Sequence, residues 1–310
     1  MSSAVVFAYH NVGVRCLKVL LASGVDVRLV VTHEDSPGEQ IWFSSVRQVC
    51  VENDIPFITP IDPNTPEIEK RVAALGAEFL FSFYYRNMLK AALLQSVSRG
   101  AYNMHGSLLP QFRGRVPVNW AVLSGVTETG ATLHQMNVKP DNGPIVDQLA
   151  VPILPNDTAQ EVFEKVVVAA ELCLHRALPH LLDGTALLRP QDLSQGAYFR
   201  GRCADDGRID WNQDARRIHD LVRAVTHPFP GAFSDFPDGR LVLWRTRVID
   251  DAGEFPFAGT IRWCDEQIEI FPMGGGQLRV LQAEFSGRSL DTRNDVGRLN
   301  GQRLPDLSFL

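Results

Sequence analysis

The sequence predicts an α/β fold: a doubly wound, mostly parallel sheet followed by a smaller, mostly β module. Two observations predict it. Short apolar runs alternate with segments of helical spacing over the first part of the 310 residues, as in sheets built from right-handed crossovers. Beyond a stretch rich in glycine and proline, strand-like runs are separated only by turns.

The alternation starts near the amino terminus and favours a Rossmann-like sheet. Each predicted strand is a short apolar run, and each predicted helix repeats its apolar residues at helical spacing. Gly24 is a typical residue to end the first helix. The predicted strands are 4–8, 27–32, 56–59, 79–83, 100–105 and 131–136, and the predicted helices are 14–23, 44–54, 66–76, 116–123 and 158–182.

The change of pattern divides the chain into three parts. We expect an N-terminal domain at 1–189, a linker at 190–207 and a C-terminal β-rich domain at 208–310. The linker lacks periodicity and is polar, as domain linkers often are. Within the last part, the pattern predicts one helix at 214–226 and strands at 241–248, 260–263, 268–271 and 278–283.

Composition excludes several classes of protein. The five cysteines are far apart and form no CxxC pair, which argues against a disulfide framework or a zinc site. The net charge is −6, and without a basic run the chain offers no footprint for a long polyanion such as tRNA. No basic leader or membrane-length apolar segment is evident, so a cytosolic location is expected. The first strand-to-helix turn, 9–13, lacks GxGxxG and a Walker lysine, which disfavours nicotinamide or ATP.

The stretch NMHGSLLPQFRGR, residues 103–115, ends the fifth predicted strand and holds the first candidate site residues. Asn103 and His105 are two residues apart, so both side chains face the same side of the strand. Ligands of open parallel sheets bind at the carboxyl ends of strands. Two roles are open: the pair satisfies buried backbone groups next to a turn, or it performs chemistry.

The loop after His105 favours chemistry. Pro110 restricts its backbone, and Gly114 allows another segment to approach closely. Arg113 and Arg115 supply planar cations that bind carboxylate or phosphate through two hydrogen bonds. A neutral imidazole can take a proton from an attacking amine, an imidazolium can give one to a leaving nitrogen, and an amide N–H can stabilise an oxyanion.

Asp141 is the best candidate for a carboxylate that orients His105. It lies in the polar loop after the next predicted strand, where Pro140 and Gly143 favour a turn. An aspartate next to a histidine favours the charged form of the imidazole. The alternative is that Asp141 only caps the turn.

These residues resemble a known signature. Asn103, the segment 105–110, Arg113-Gly114 and the segment 141–143 match, in order and spacing, the motif of the formyltransferases that use N10-formyltetrahydrofolate. The resemblance covers nearly the whole chain, since 209–211 and 223–232 resemble the segments that open the family's C-terminal domain. It implies that this second domain is β-barrel-like (OB-like).

The resemblance also implies an activity and a set of roles. The family transfers a formyl group from the folate co-substrate to a primary amine, without a metal. Asn103 would stabilise the tetrahedral oxyanion, His105 would move the proton between the amine and the folate nitrogen, and Asp141 would orient His105. The residues expected at the folate are Arg86, Asn87, Met88, Leu89, Arg115, Asn137, Val138, Lys139, Pro140 and Asp141.

Within the family, the chain resembles the formyltransferase domain of the bifunctional polymyxin-resistance enzymes, which formylates UDP-4-amino-4-deoxy-L-arabinose for lipid A modification. The segments that carry this resemblance are 7–10, 32–33, 37–39, 81–86 and 113–117. The sequence leaves open whether the chain is a free-standing enzyme or an excised domain. Another nucleotide-linked amino sugar and methionyl-tRNA remain alternative acceptors, although no lysine follows Lys165.

Four residues are further candidates for contact with the amino sugar: Tyr9, His10, His33 and Arg113. Arg115 could meet either the folate or a substrate phosphate. The expected partners are therefore small molecules, with no nucleic acid and no membrane, and the oligomeric state stays open. A binding module without catalytic activity is disfavoured because Asn103, His105 and Asp141 are all present.

Overall fold

The computed structural model describes residues 1–35, 41–251, 253–264, 266–290 and Leu304. The segment 37–39, which contributes to the subgroup resemblance, lies outside these residues. The chain forms two compact units. The first unit comprises 1–117, 128–152 and 163–200, and the second comprises 118–127, 153–162 and 201–310.

Strands and helices alternate along the first part of the chain, as the apolar pattern predicts. The strands are β1 (Ser3–Ala8), β2 (Asp26–Val31), β3 (Phe57–Ile58), β4 (Phe79–Phe83), β5 (Ala101–His105), β6 (Arg113–Gly114), β7 (Glu128–Gln135), β8 (Ile145–Pro152) and β9 (Tyr198–Phe199). The helices are α1 (His10–Ala22), α2 (Val46–Glu52), α3 (Pro66–Ala74), α4 (Ala91–Leu94), α5 (Pro117–Leu123) and α6 (Ala159–Asp183).

The first unit contains a seven-stranded sheet in the order β3-β2-β1-β4-β5-β7-β8. Strands β3, β2, β1, β4 and β5 run parallel to one another, and β7 and β8 are antiparallel. Every residue of β1 is buried, as expected for a central parallel strand covered on both faces. The predicted doubly wound, mostly parallel sheet is confirmed. Its strand order reverses between β1 and β4, which is where ligands bind in such folds.

The strand β8 was not predicted. It pairs with β7 antiparallel, and most of its residues are only partly buried. An edge strand of this kind lacks the continuous apolar run that reveals a central strand. The loop that joins β7 to β8, residues 136–144, is too short for a parallel crossover, so the two strands form a hairpin.

The second unit contains a six-stranded antiparallel sheet, as the turn-rich pattern predicts. It runs in the order β10-β11-β14-β13-β12, with β15 paired to β14. Its elements are α7 (Ala215–Val225), β10 (Ala232–Phe236), β11 (Gly239–Asp250), β12 (Thr260–Cys264), β13 (Gln267–Phe271), β14 (Gln277–Phe285) and β15 (Arg288–Ser289). Helix α7 starts where the Asp214 carboxylate accepts a hydrogen bond from the Arg217 N–H at 2.8 Å.

Two predictions from composition can be compared with the structure. All five cysteines are free thiols, and Cys16, Cys50 and Cys173 are buried. Within the part of the chain that the structure describes, no helix has the length and apolar character needed to span a membrane.

Helix α7 buries polar groups that all find partners. The Arg223 Nε donates to the Asp220 carboxylate at 2.7 Å, and both side chains are buried. The His219 Nε2 donates to the Pro155 carbonyl at 3.0 Å, and its Nδ1 accepts from the Thr246 hydroxyl at 2.9 Å. His219 is therefore held as a neutral ring. Burial, with the nearby Arg223, lowers the pKa of His219 from its usual value to about 4.

The second unit should lose stability in mild acid through His219. Because the folded-state pKa is below the unfolded value of about 6.5, the unfolded chain binds more protons between these two pH values. The free energy of unfolding should therefore fall as the pH is lowered, by about 2 kcal/mol between pH 7 and pH 5. Urea unfolding followed by tryptophan fluorescence at several pH values measures it.

The control is His219→Gln, whose amide can donate to the Pro155 carbonyl and accept from the Thr246 hydroxyl but does not titrate. The variant should show a flatter dependence of stability on pH than the wild type. Equal slopes in the two proteins would assign the acid sensitivity to other groups.

Candidate active site

The candidate site lies at the carboxyl edge of the parallel strands. Strands β1, β4 and β5 end at the same level of the sheet, since Ala8 pairs with Phe83 and Phe83 pairs with Met104. The segments that leave β1, β2, β4 and β5 all start at this edge. Most of the residues that the sequence predicts to contact a ligand lie on these segments: Tyr9, His10, His33, 86–89 and Arg115. The other predicted contact residues lie in the β7–β8 loop and in β6.

Asn103 and His105 lie on β5 and face the same side, as their spacing predicts. His105 is buried, with 6% of its surface exposed, whereas Asn103 is partly exposed. On the neighbouring antiparallel strand β7, His134 lies opposite Asn103 and Thr132 lies opposite His105. Four polar side chains thus come together on two adjacent strands.

Asp141 lies next to this group. Its Oδ1 is 3.6 Å from His105 Nδ1 and 3.7 Å from His134 Nε2. Its Oδ2 accepts a hydrogen bond from the Gly114 N–H at 2.8 Å. The structure therefore brings together Asn103, His105 and Asp141, which are separated in the sequence.

The backbone of the β7–β8 loop is specialised to carry Asp141. Asp141 has a φ of +53°, in the left-handed region that is unfavourable for most residues other than glycine. At Gly143, a Cβ atom would lie 1.8 Å from the Gln135 carbonyl oxygen. Only glycine fits there, so the hairpin loop can fold back on β7 and direct Asp141 towards β5.

The charge of Asp141 follows from its neighbours. Burial by itself would raise the pKa of this carboxyl. His105 and the hydrogen bond from the Gly114 N–H oppose this effect, and the pKa is held well below its usual range. Asp141 is therefore a carboxylate at any pH near neutrality.

The ring of His105 lies between two hydrogen-bond acceptors. Its Nε2 is 3.0 Å from the Phe112 carbonyl oxygen, which can only accept, so Nε2 carries a proton. Its Nδ1 faces the Asp141 carboxylate. A second proton, on Nδ1, would lie next to the negative Asp141 carboxylate. This arrangement suits a residue that gains and loses a proton during a reaction.

His134 is a site residue that the sequence analysis missed. Its Nδ1 donates to the Gln135 carbonyl at 3.0 Å, so in the neutral ring Nε2 is free to accept from the Asn103 amide, 3.1 Å away. This contact fixes the orientation of Asn103 and uses one of its two N–H groups. The signal in the sequence is that Thr132 and His134 are polar residues two apart that alternate with the apolar Ala131 and Leu133.

The loop after β5 is anchored from β7 and β8. The Thr132 hydroxyl donates to the Ser107 carbonyl at 2.6 Å and accepts from the Leu109 N–H at 3.0 Å. The Gln148 amide donates to the Leu109 carbonyl at 2.8 Å and to the Thr132 hydroxyl at 3.0 Å. These bonds fix the start of the loop. Further along the same loop, the Phe112 carbonyl contacts His105.

The segments predicted to contact the folate have accessible side chains, except for Leu89, which is 5% exposed and packs in the apolar core. Residues 86–89 follow β4, and Met88 is 55% exposed there. Asn64 holds this segment, since its amide donates to the Met88 carbonyl at 2.9 Å and accepts from the Lys90 N–H at 2.8 Å. Residues 137–140 lie in the β7–β8 loop, where Val138 is 67% exposed. The segment 86–89 thus follows the end of β4, whereas the β7–β8 loop starts beside Ala101 at the beginning of β5.

Tyr9, His10 and His33 belong to an aromatic cluster at the same edge. The Tyr9 hydroxyl donates to Asp35 at 2.6 Å, and its ring lies under the Arg86 guanidinium at 4.6 Å. His33 stacks on Tyr85 and accepts a hydrogen bond from the Arg86 N–H. His10 stacks on Phe43. In this structure the three side chains organise the strand ends, and their contact with a substrate stays a prediction.

The two arginines of the loop differ. The Arg113 guanidinium donates to the carbonyls of Leu193 and Gly196 at 3.1 and 2.9 Å and to Asn142 at 3.3 Å. Arg115 is exposed, and its guanidinium makes no hydrogen bond or ion pair with the described residues. Arg115 is thus the more available cation for a ligand.

No metal site emerges from the structure as far as it is described: no group of three histidine, cysteine, aspartate or glutamate residues is arranged to hold an ion. The groups that are present are a largely buried carboxylate, an imidazole and an oriented amide at the carboxyl edge of an α/β sheet. These are the groups of an acyl-transfer site that works by proton transfer and oxyanion stabilisation.

Comparison with known protein families identifies the family to which this chain belongs. Residues 10–178 match the formyl transferase family, and residues 203–295 match the C-terminal domain of formyl transferases. The first match covers more than half of the chain, so the protein belongs to the formyl transferase family. It is a formyltransferase, and the formyl donor of the family is a formyltetrahydrofolate.

Solved structures share the fold. An N-formyltransferase from Helicobacter canadensis, in complex with folinic acid and dTDP-3-aminofucose, is 20% identical, with a TM-score of 0.72 over 90% of this chain and 99% of that chain. A 4-N formyltransferase from Francisella tularensis is 20% identical, with a TM-score of 0.61 over 75% and 91%. A sugar N-formyltransferase from a Shewanella species is 19% identical, with a TM-score of 0.60 over 78% and 96%.

Replacing His134 should impair turnover through Asn103. In His134→Leu the Asn103 amide loses the acceptor that orients it, so we expect kcat to fall by about tenfold or more, with little change in KM for formyltetrahydrofolate. Consumption of formyltetrahydrofolate in the presence of an amine acceptor measures both constants.

The matched control is His175→Leu, the same change at an exposed position on α6. It should behave as the wild type. A His134→Leu variant with wild-type kcat would mean that Asn103 needs no support from β7.

Proposed function

We propose that this protein transfers the formyl group of N10-formyltetrahydrofolate to the amino group of a nucleotide-linked amino sugar. The observation that carries the proposal is the placement of Asn103, His105 and Asp141 in one polar cluster, with His105 Nδ1 3.6 Å from Asp141 Oδ1, in a member of the formyl transferase family. Sugar N-formyltransferases among the proteins of similar fold support the choice of acceptor.

The geometry suggests a role for each group. The amine attacks the formyl carbon, and the carbonyl oxygen becomes an oxyanion. Asn103 donates one N–H to His134, which leaves the other N–H for that oxyanion. His105 carries the proton that the amine loses to the folate N10, and the Asp141 carboxylate stabilises the ring while it is charged.

We assign the folate to the two accessible loops, 86–89 and 137–141. A pterin edge alternates donors and acceptors, and exposed loop backbone offers both. Arg115 would then reach an anionic group of either substrate. The folate would approach Asp141 from the loop that carries it, so its N10 would lie close to His105.

The charges of the second unit disfavour methionyl-tRNA as the acceptor. Binding a polyanion needs arginines or lysines that are not already neutralised. No lysine follows Lys165, and seven arginines of the second unit pair with carboxylates. The pairs are Arg208–Asp235, Arg240–Asp235, Arg216–Asp251, Arg217–Asp214, Arg223–Asp220, Arg245–Glu161 and Arg279–Glu269.

The most specific acceptor we propose is UDP-4-amino-4-deoxy-L-arabinose, and with it a role in lipid A modification and polymyxin resistance. The support is the resemblance of segments such as 7–10 and 81–86 to the polymyxin-resistance formyltransferases. Both segments lie at the candidate site, at the ends of β1 and β4. A different nucleotide-linked amino sugar is the second candidate, because one related structure holds dTDP-3-aminofucose.

A panel of acceptors tests the proposal. With formyltetrahydrofolate as donor, we expect formylation of UDP-4-amino-4-deoxy-L-arabinose at a kcat/KM at least about tenfold above that for dTDP-3-aminofucose. Mass spectrometry of the products identifies the formylated species. Formylation of methionyl-tRNA without formylation of either sugar would overturn the proposal.

Removing the imidazole should separate chemistry from binding. In His105→Ala we expect kcat to fall by about 10² to 10⁴ because no group carries the proton. The affinity for folinic acid, measured by calorimetry, should change less than threefold, about 0.6 kcal/mol at most. His175→Ala serves as the control, and wild-type turnover by His105→Ala would show that another group moves the proton.

A further inference from the structure

We propose that Gln191 is a positioning residue that holds the Asp141 turn, and hence the Asp141 carboxylate, against His105. This inference rests on the proposed function of Asp141. The side-chain amide of Gln191 donates to the Asp141 carbonyl at 2.9 Å and to the Gly143 carbonyl at 2.6 Å. The amide nitrogen thus donates to both of the carbonyls that flank the centre of the turn.

The oxygen atom of the Gln191 amide shows that this arrangement is locally unfavourable. The Gln191 Oε1 is buried and makes no hydrogen bond with the described residues. A buried carbonyl oxygen without a partner destabilises the folded protein. Rotating the amide would place Oε1 against two carbonyl oxygens, so its orientation is fixed by the turn. A side chain that binds one turn while one of its own buried polar atoms lacks a partner is typical of a functional site.

The segment that carries Gln191 is fixed to the first unit. Arg189 and Ile145 exchange two backbone hydrogen bonds, at 2.7 and 2.8 Å. Strand β9 pairs with β6, and Arg113 binds the Leu193 and Gly196 carbonyls. Gln191 therefore reaches the turn from a fixed segment, although the sequence predicted only a linker there.

The turn needs this support because of its conformation. The left-handed backbone of Asp141 is an unfavourable conformation that the surrounding structure must maintain, and the Gly114 N–H contacts only the side chain. Without the Gln191 donors, two carbonyls of the turn would lose their partners and the backbone could relax. A displacement of about 1 Å at a catalytic group can reduce a rate by about 10².

The test compares three variants and the wild-type full chain. Gln191→Leu removes both donors at similar size, and Gln191→Glu keeps the shape but has no N–H to donate. Gln195→Leu is the matched control: Gln195 lies on the same segment and donates to Asp192 at 2.9 Å, away from the turn. Asp141→Asn gives the reference for a site without the carboxylate charge.

The first measurement needs no acceptor. The ring carbons of ¹³C-labelled His105 report the nearby carboxylate, so their signals in both Gln191 variants should move from the wild-type position towards that in Asp141→Asn. The signals of Gln195→Leu should stay at the wild-type position. If either folded Gln191 variant keeps the wild-type His105 signals, the proposal is wrong.

The second measurement is turnover. Gln191→Leu and Gln191→Glu should lower kcat at least tenfold and leave KM for formyltetrahydrofolate within threefold, whereas Gln195→Leu should leave both constants unchanged. Wild-type kcat in a Gln191 variant would overturn the role. If the wild-type protein formylates no sugar, the proposed function fails, and the His105 signals still decide the role of Gln191.

Discussion

The site depends on one contact, between the His105 imidazole on β5 and the Asp141 carboxylate on the β7–β8 loop. These residues belong to different strands, so the contact requires β7 to run antiparallel next to β5 and then to turn back sharply into β8. The sheet supplies the first condition. The second rests on a left-handed Asp141 and on Gly143, where a side chain would collide with Gln135.

The polar groups around this contact are held in place by hydrogen bonds. His134 orients Asn103, Thr132 holds the loop that follows His105, and Gln191 holds the Asp141 turn. Each acts through partly or fully buried hydrogen bonds to backbone or to a single side chain, and burial makes such bonds stronger than in water. The candidate catalytic groups are thus oriented before any substrate binds, which is how electrostatic stabilisation of an oxyanion becomes effective.

The sequence revealed the parts of this site that follow a local pattern. Asn103 and His105 were found because a spacing of two fixes their common direction, and the parallel strands were found because they are continuous apolar runs. Local pattern could not reveal β8, which is half exposed, or His134, which is one of several polar residues on β7. Gln191 lay in a segment without periodicity, and its role depends on carbonyls about fifty residues away in sequence. These contacts arise only from the tertiary fold.

The closed loop over His105 constrains how an amine can reach it. The Nε2 proton is donated to the Phe112 carbonyl, and Nδ1 faces Asp141, so both nitrogens have acceptor partners before substrate binds. An amine that exchanges a proton with Nε2 must take the place of that carbonyl, whereas the carboxylate on the opposite side can stay. Phe112 has a φ of +53°, an uncommon conformation that the loop maintains through its anchors. In the proposed mechanism the Phe112 carbonyl would give way to the acceptor amine, whereas the start of the loop would stay fixed by Thr132 and Gln148.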